Sequence, residues 1–471
     1  MPELFIFLLT SLLFLYHIST SNNFNPDLGR DFTWIWDILH GTFTLLGPKL
    51  SFGGYYSGPY YYYFFAPFLW LSRYQPAGVL WANALLASLA LSLIFFYLRK
   101  SSGLFFAVLS VGWLAVTPYI LFSARNPGNA YSYITVLILY LIMISQNKKN
   151  TSLRYFLGMG IFAGLLINFH PASLFASIPF TFFALVSSEK KEKVKQIFTF
   201  ILGVVLTMTP LIFFELRHNF IMFRNTFIDK SYTAFMNPES RVSMVKHSNN
   251  LFEQLAAVHN LLSEWMIPSI VAILILIVFL SLYQRTVKKF SVASTTLIVT
   301  IIFAVLLQYQ VTFYYVFPLL CALQAGLLLV LIKQEKIALM ILGACLLLTL
   351  VSFPRNYYSL SNRNFFTLQA KSQAAVNALP IPPRGFNIVY ISNNPLTALG
   401  YEYRYIFRTL GKVADGEQQY GSSTELLIVS EKGPLDFSTL HTWEIDTFGK
   451  KKLIKSYQRD DIIFYLFRKE L

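Results

Sequence analysis

Residues 29–67 read GRDFTWIWDILHGTFTLLGPKLSFGGYYSGPYYYYFFAP, two carboxylates and an arginine in an aromatic, half-polar stretch with long apolar runs on either side. Roughly 17–25 apolar residues suffice for a helix to cross a bilayer. Such runs lie near 3–20, 77–98, 103–122, 131–146, 153–169, 171–187, 197–214, 266–283, 291–308, 311–332 and 336–353. The expected fold is an α-helical polytopic membrane protein with about 11 transmembrane helices, and the quoted stretch becomes a polar loop at one membrane face.

Composition agrees with a chain whose solvent is lipid. Of 471 residues, 55% are hydrophobic, 17% aromatic and only 13% charged, which excludes an ordinary soluble domain. The net charge of +15 does not point to nucleic acid, because the basic residues form short clusters between apolar runs and make no binding stripe. Reading the aromatic segment 60–72 as an interfacial helix puts Arg99/Lys100, Lys148/Lys149/Arg154, Lys190/Lys191/Lys193/Lys195, Arg285/Lys288/Lys289 and Lys333/Lys336 on one side. That side is cytoplasmic by the positive-inside rule. The amino end is then cytoplasmic, while the loops 21–76 and 215–265 and the tail 356–471 face outward. The first run lacks a basic flank and a small-x-small cleavage site, so it reads as an uncleaved anchor. Cys321 and Cys345 sit inside apolar runs and are expected to be packing residues.

The tail changes character. Charges of both signs appear, and Phe386–Ser392, Glu425–Val429 and Ile462–Phe467 alternate as strands do. Tyr401–Thr409 reads as a helix and 380–383 as a connector. The expected division is a transmembrane domain over 1–355 and a small extracytoplasmic α/β domain over 356–471.

Chemistry is expected at the outer rim, where the ionisable residues collect. Asn25-Pro26-Asp27 is a helix-start signal, so Asp31 and Asp37 fall on a helix. Six residues turn a helix by about 600°, which offsets the two carboxylates by roughly 120°. They need not share a site. Asp31, after Gly29-Arg30 and before Phe32, Trp34 and Trp36, is placed to take a proton from a hydroxyl; an acidic first turn stabilised by the helix dipole is the plainer account. The tyrosines 55, 56 and 60–63 read as an interfacial belt or as a rim that steers a lipid-linked substrate. Arg125 at an outer turn reads as a head-group partner or a snorkelling side chain. His170-Pro171 breaks an apolar stretch, and Glu215-Leu216-Arg217-His218 closes a span with groups able to neutralise a phosphate or to form an internal collar. No HExxH, paired CxxC, EF-hand, Walker A or dinucleotide motif occurs.

These residues together resemble the GT-C membrane glycosyltransferases, in particular the branch of protein O-mannosyltransferases and lipid A aminoarabinose transferases. The resemblance covers the topology of residues 1–355. It rests on Asp31 with Phe32 to Leu39 after a first span, on Gly58-Pro59-Tyr60-Tyr61-Tyr62 running into Ala66-Pro67, on Arg125, and on Glu215-Leu216-Arg217-His218. Two departures stand out. Asp31-Phe32 replaces a frequent Asp-Glu, and Ser57-Gly58-Pro59 lacks a lysine often found before the proline pair, a phosphate contact that Arg125, Arg217 or His218 would then supply. The resemblance implies transfer of one sugar from a polyprenyl-phosphate donor to a glycolipid, protein or cell-surface polymer, with Asp31 as catalytic base. Arg30, Asp37, Tyr60, Tyr61, Arg125, His170, Glu215, Arg217 and His218 are then the candidate substrate contacts. Neither a nucleotide nor a metal is required, although a divalent metal is left open. A transporter or lipid flippase is the alternative, but its ionisable groups would be expected nearer mid-bilayer.

Overall fold

The computed structural model describes residues 1–50, 55–146, 152–186, 193–228, 265, 317–332, 335–392 and 399–470. It divides into two compact units, one of Met1–Tyr16, Phe43–Phe64 and Leu80–Arg355, the other of His17–Thr42, Phe65–Val79 and Asn356–Leu471. The unit that contains the tail thus also takes in the Asp31 segment.

The first unit is helical. Among the described residues three helices are long and apolar enough to cross a membrane, Pro2–Ser21, Ala77–Ser102 and Lys193–Arg217, and Leu104–Val116 with Pro118–Arg125 makes a fourth candidate. Shorter apolar helices follow at Ile134–Ser145, Leu153–Phe169, Pro171–Phe182, Phe317–Leu331 and Ala338–Val351. The expected spans at 266–283 and 291–308 lie outside the described residues. The expected single span at 103–122 is two helices bent by 66°. Pro118 is the cause: it opens the second helix without an N–H, and Thr117 before it is extended at ψ 130°.

Lipid-facing and packed faces can be told apart. Along Ala77–Ser102, Trp81, Leu85, Leu89, Leu93 and Phe96 form an exposed apolar stripe, whereas Ala84, Ser88, Leu91, Ile94 and Leu98 are buried. Glu3 pairs with Arg99 at 2.5 Å, so the amino terminus lies at the basic end of that helix. Leu153–Phe169 packs on Lys193–Arg217 through small residues. A Cβ on Gly160 would stand 2.1 Å from the Phe200 carbonyl oxygen, on Gly164 1.9 Å from Thr207 Oγ1, and on Gly203 2.5 Å from the Leu157 carbonyl oxygen. Gly160-x-x-x-Gly164 lets two backbones meet, the usual means of holding helices together where lipid removes the hydrophobic driving force.

The second unit carries a four-stranded sheet of order β1-β2-β4-β3, with β1 Phe386–Ile391, β2 Glu425–Ser430, β3 Lys451–Arg459 and β4 Ile462–Lys469. β1 and β2 are parallel, and the other pairs antiparallel. The parallel pair needs a crossover, and Tyr401–Thr409 provides its helix. Arg404 on that helix is buried, and its guanidinium donates to the carbonyls of Leu399, Asp415 and Ile388, to Asn387 Oδ1 and to Tyr420 Oη. The opposite flank of the helix holds Pro26–Leu39. Gly29 sits on the backbone of Tyr401 and Glu402, where a Cβ would lie 2.5 Å from Glu402 N. Phe32 packs on Tyr405 at 5.7 Å between ring centroids, Phe24 stacks on Phe32, and Phe365 closes the cluster edge-on to Phe24 at 5.2 Å.

Glu402 is fully buried beside this contact, with Oε1 accepting from Arg363 Nη2 at 3.2 Å. Burial pushes its carboxyl up to about 7, against the opposing pull of its backbone hydrogen bond and of Arg363. A carboxyl whose folded pKa is raised favours the fold below its unfolded pKa, and that contribution is lost as pH rises through the folded value.

Two outcomes are expected. Gly160→Val or Gly164→Val overpacks the helix pair at about 1–3 kcal/mol or more, read as a lower thermal midpoint in detergent; an unchanged midpoint would show that the backbones do not meet there. Hydrogen exchange across residues 400–410 should quicken as pH is raised from 5 toward 8 beyond its intrinsic rate increase, and Glu402→Gln should flatten that excess while slowing exchange at pH 8.

Candidate active site

Asp31 lies on a helix whose start is locally encoded. Asn25 caps it by accepting from the Leu28 N–H at 3.0 Å, Pro26 occupies the first turn, and Asp27 adds an acidic group there. The amphipathic pattern buries Leu28, Asp31, Phe32, Ile35 and Ile38 on one face. Asp31 is 0% exposed. Arg30 reaches across it: Nε and Nη2 both stand 2.9 Å from Asp31 Oδ1, while Nη1 is 3.0 Å from Asp27 Oδ1. The arginine fork fixes the carboxylate's orientation.

The other groups of this helix have partners of their own. Asp37 forms an ion pair with Arg408, in keeping with the angular offset that separates it from Asp31. Phe32 is core rather than the wall of a pocket, as are Phe24 and Tyr405 around it. Trp34 is exposed, and Trp36 packs on Tyr74 at 4.1 Å and on His40 at 5.1 Å.

The remaining candidates lie in the first unit. Tyr61 is buried, and its hydroxyl donates to the Pro127 carbonyl at 2.5 Å; its ring meets Phe169 edge-on at 6.0 Å. Tyr60 is half-buried at the start of the Tyr60–Leu71 helix. Asn129 Nδ2 donates to the Phe169 carbonyl, and the next residue, His170, accepts from the Ala172 N–H through Nδ1 at 3.2 Å and stacks flat on Tyr133. His170 is therefore the cap of the short Pro171–Ser173 turn. Arg125 is 3% exposed and donates from Nη1 to the carbonyls of Phe14 and Tyr16, at 2.7 and 2.8 Å, closing the end of the first helix.

Glu215 also has a backbone task. Its two oxygens accept from the N–H groups of Met222 and Phe223, at 2.9 and 3.0 Å. Its charge acts with burial to push the Tyr55 phenol up, so the 55–61 loop and the end of the Lys193–Arg217 helix share one environment. His218 stacks on Phe214 with Nδ1 2.8 Å from the Phe214 carbonyl. Arg217 is exposed and, among the described residues, makes no ion pair.

Asn168 was not singled out in the sequence, whereas Gly58 was noted only as part of the Gly58-Pro59 motif. Asn168 is fully buried, donates to the carbonyls of Gly164 and Thr207, and leaves no room over Gly58, where a Cβ would fall 1.5 Å from its Oδ1. A glycine before a proline was the available signal. Among the described residues no three His, Cys, Asp or Glu side chains come together as a metal would require.

The architecture has known counterparts. A family profile described as Dolichyl-phosphate-mannose-protein mannosyltransferase matches residues 57–214. The chain is similar in structure to ArnT from Cupriavidus metallidurans, both in complex with undecaprenyl phosphate and in the apo state. Each comparison has a TM-score of 0.58 at 11% identity and covers 98% of this chain and 97% of that one. Among curated proteins, none matches by sequence. The chain therefore has an ArnT-like fold, and its residues 57–214 are similar to that mannosyltransferase family.

The dual hydrogen bonding of Arg125 makes a direct prediction. Arg125→Met should destabilise the protein by about 1.5–3 kcal/mol, the worth of a hydrogen bond to a charged donor, seen as a lower midpoint without any donor lipid present. A stable Arg125→Met protein would detach the arginine from the helix end.

Proposed function

We propose that this protein transfers a single hexosyl or pentosyl unit from a polyprenyl-phosphate carrier to a hydroxyl of an extracytoplasmic glycolipid, protein or cell-surface polymer, with inversion at the anomeric carbon. The observation that carries the reading is Asp31, a buried and arginine-oriented carboxylate on the first loop after the first span, in a chain with the GT-C fold. The family profile supports a carrier-linked donor, and so does the similar ArnT, solved with undecaprenyl phosphate bound.

In this mechanism the acceptor oxygen attacks the anomeric carbon from the face opposite the phosphate. The bond from that carbon to the phosphate oxygen breaks, and its electron pair leaves with the carrier as a phosphate monoester. Asp31 takes the acceptor's proton, an assistance worth about 10²–10⁴-fold. The departing phosphate gains a negative charge, which Arg217 and His218 at the rim are suited to stabilise. Arg125 and Glu215 hold backbone in place, and the reading keeps Tyr60, Tyr61 and His170 as contacts of the carrier. Asp37 supports the Asp31 helix. The pairing of Glu3 with Arg99 supports an amino end on the cytoplasmic side, since Arg99 and Lys100 belong there by charge. The loops 21–76 and 215–265 and the domain at 356–471 are then extracytoplasmic.

The test is sugar transfer by purified protein in lipid, supplied with a panel of polyprenyl-phosphate sugars and a membrane extract as acceptor. Asp31→Asn should lower kcat by about 10²-fold or more while the protein stays folded and retains the donor. An active Asp31→Asn enzyme would remove the base assignment, and a folded wild type inert toward every donor would favour a transporter. Arg217→Ala should weaken the donor's binding about 10-fold, the loss of a hydrogen bond to a charged group; equal donor affinity and turnover would release Arg217 from the phosphate site.

A further inference from the structure

We infer that Arg408 is a positioning residue for Asp31, and that the Tyr401–Thr409 helix is the rail on which the Asp31 helix is held. The inference rests on the transferase reading above, and goes beyond it by giving the C-terminal domain a part in turnover.

Three contacts fix the two helices along their length. At one end Gly29 lies on the backbone of Tyr401 and Glu402, so closely that no other side chain fits without displacement. In the middle Tyr405 meets Phe32 at 5.7 Å and Trp36 at 6.3 Å, and its hydroxyl donates to the Tyr74 carbonyl at 2.7 Å. At the far end Arg408 pairs with Asp37. The contacts advance in the same chain direction on both helices, Gly29 to Asp37 against Glu402 to Arg408, so the helices run parallel and in register. Asp31 stands between the first contact and the second.

Each contact controls a different motion. The glycine notch sets the distance between the helix axes, the aromatic cluster sets the rotation, and the ion pair resists sliding and twisting at the end remote from the cap. Asp37 is six residues from Asp31, about 9 Å along the axis, so Arg408 acts through the rigidity of the helix and not by touching substrate. Misplacing a reacting group by about 1 Å can cost 10²-fold.

The experiment compares wild type, Arg408→Gln, Gly29→Ala and the exchanged pair Asp37→Arg/Arg408→Asp in lipid nanodiscs, by transfer kinetics and by hydrogen exchange over residues 26–39. Arg408→Gln should lower kcat about 10–100-fold with the donor KM within about twofold, and should speed exchange in the 33–39 turn. Gly29→Ala should lower kcat in the same way, and the exchanged pair should recover much of the loss. Unchanged kcat and exchange in Arg408→Gln would overturn the inference, as would a loss confined to KM or one that the exchanged pair does not recover. Failure of the transferase reading looks different: wild type would be inactive, or Asp31→Asn active, and the exchange data would still decide whether Arg408 holds the helix.

Discussion

A backbone surrounded by lipid has no water to satisfy it, so every N–H and C=O freed where a helix stops or bends needs a partner from the protein. Much of the polar chemistry inside the first unit answers that demand. At the end of the Pro118–Arg125 helix, Asn83 Nδ2 donates to the carbonyls of Ser123 and Ala124, while at its start the Gln324 side chain bridges the hydroxyls of Thr117 and Tyr119. Arg125 closes the first helix, His170 caps a turn, and Glu215 accepts two N–H groups beyond the Lys193–Arg217 helix. Ionisable residues at the membrane rim are thus divided between structure and chemistry, and their partners tell which is which. Exposed Arg217 remains disposable for an anionic ligand.

The helical membrane fold was legible because apolar span length acts over tens of residues. Details decided by a single residue or by distant partners were not. The break at Thr117-Pro118 lay within a run apolar enough to pass as one span. The helix at Pro26–Leu39 was readable from its cap and first turn, as was the angular separation of Asp31 from Asp37. That Asp37 would meet Arg408 was not, since 371 residues separate them. In the tail β1, β2 and β4 announced themselves by apolar content. β3, rich in lysine, was not singled out, and Phe365–Ala378, with scattered small and polar residues, gave no strong helical stripe.

The candidate site was visible as residue types at the outer rim, whereas the task of each residue became visible only with its partners. That Arg30 pairs with Asp31 is seen only in the structure. Tyr61 and Tyr62, read as part of an interfacial belt or of a substrate-steering rim, are buried, and Phe32 is packed among Phe24, Phe365 and Tyr405. Periodicity tells which face of a helix is apolar, but it does not tell whether that face meets ligand, lipid or another helix.

The edge strand β3 has a consequence for life on a crowded membrane. Anchored proteins are confined to two dimensions, where neighbouring domains collide often and at a common height, and an open sheet edge would invite strand-to-strand pairing between copies. Lys451, Lys452 and Lys455 along that edge make such pairing bring like charges together and strip water from ammonium groups. The lysines that hid β3 in the sequence thus keep neighbouring domains apart as separate particles, however densely the membrane is populated.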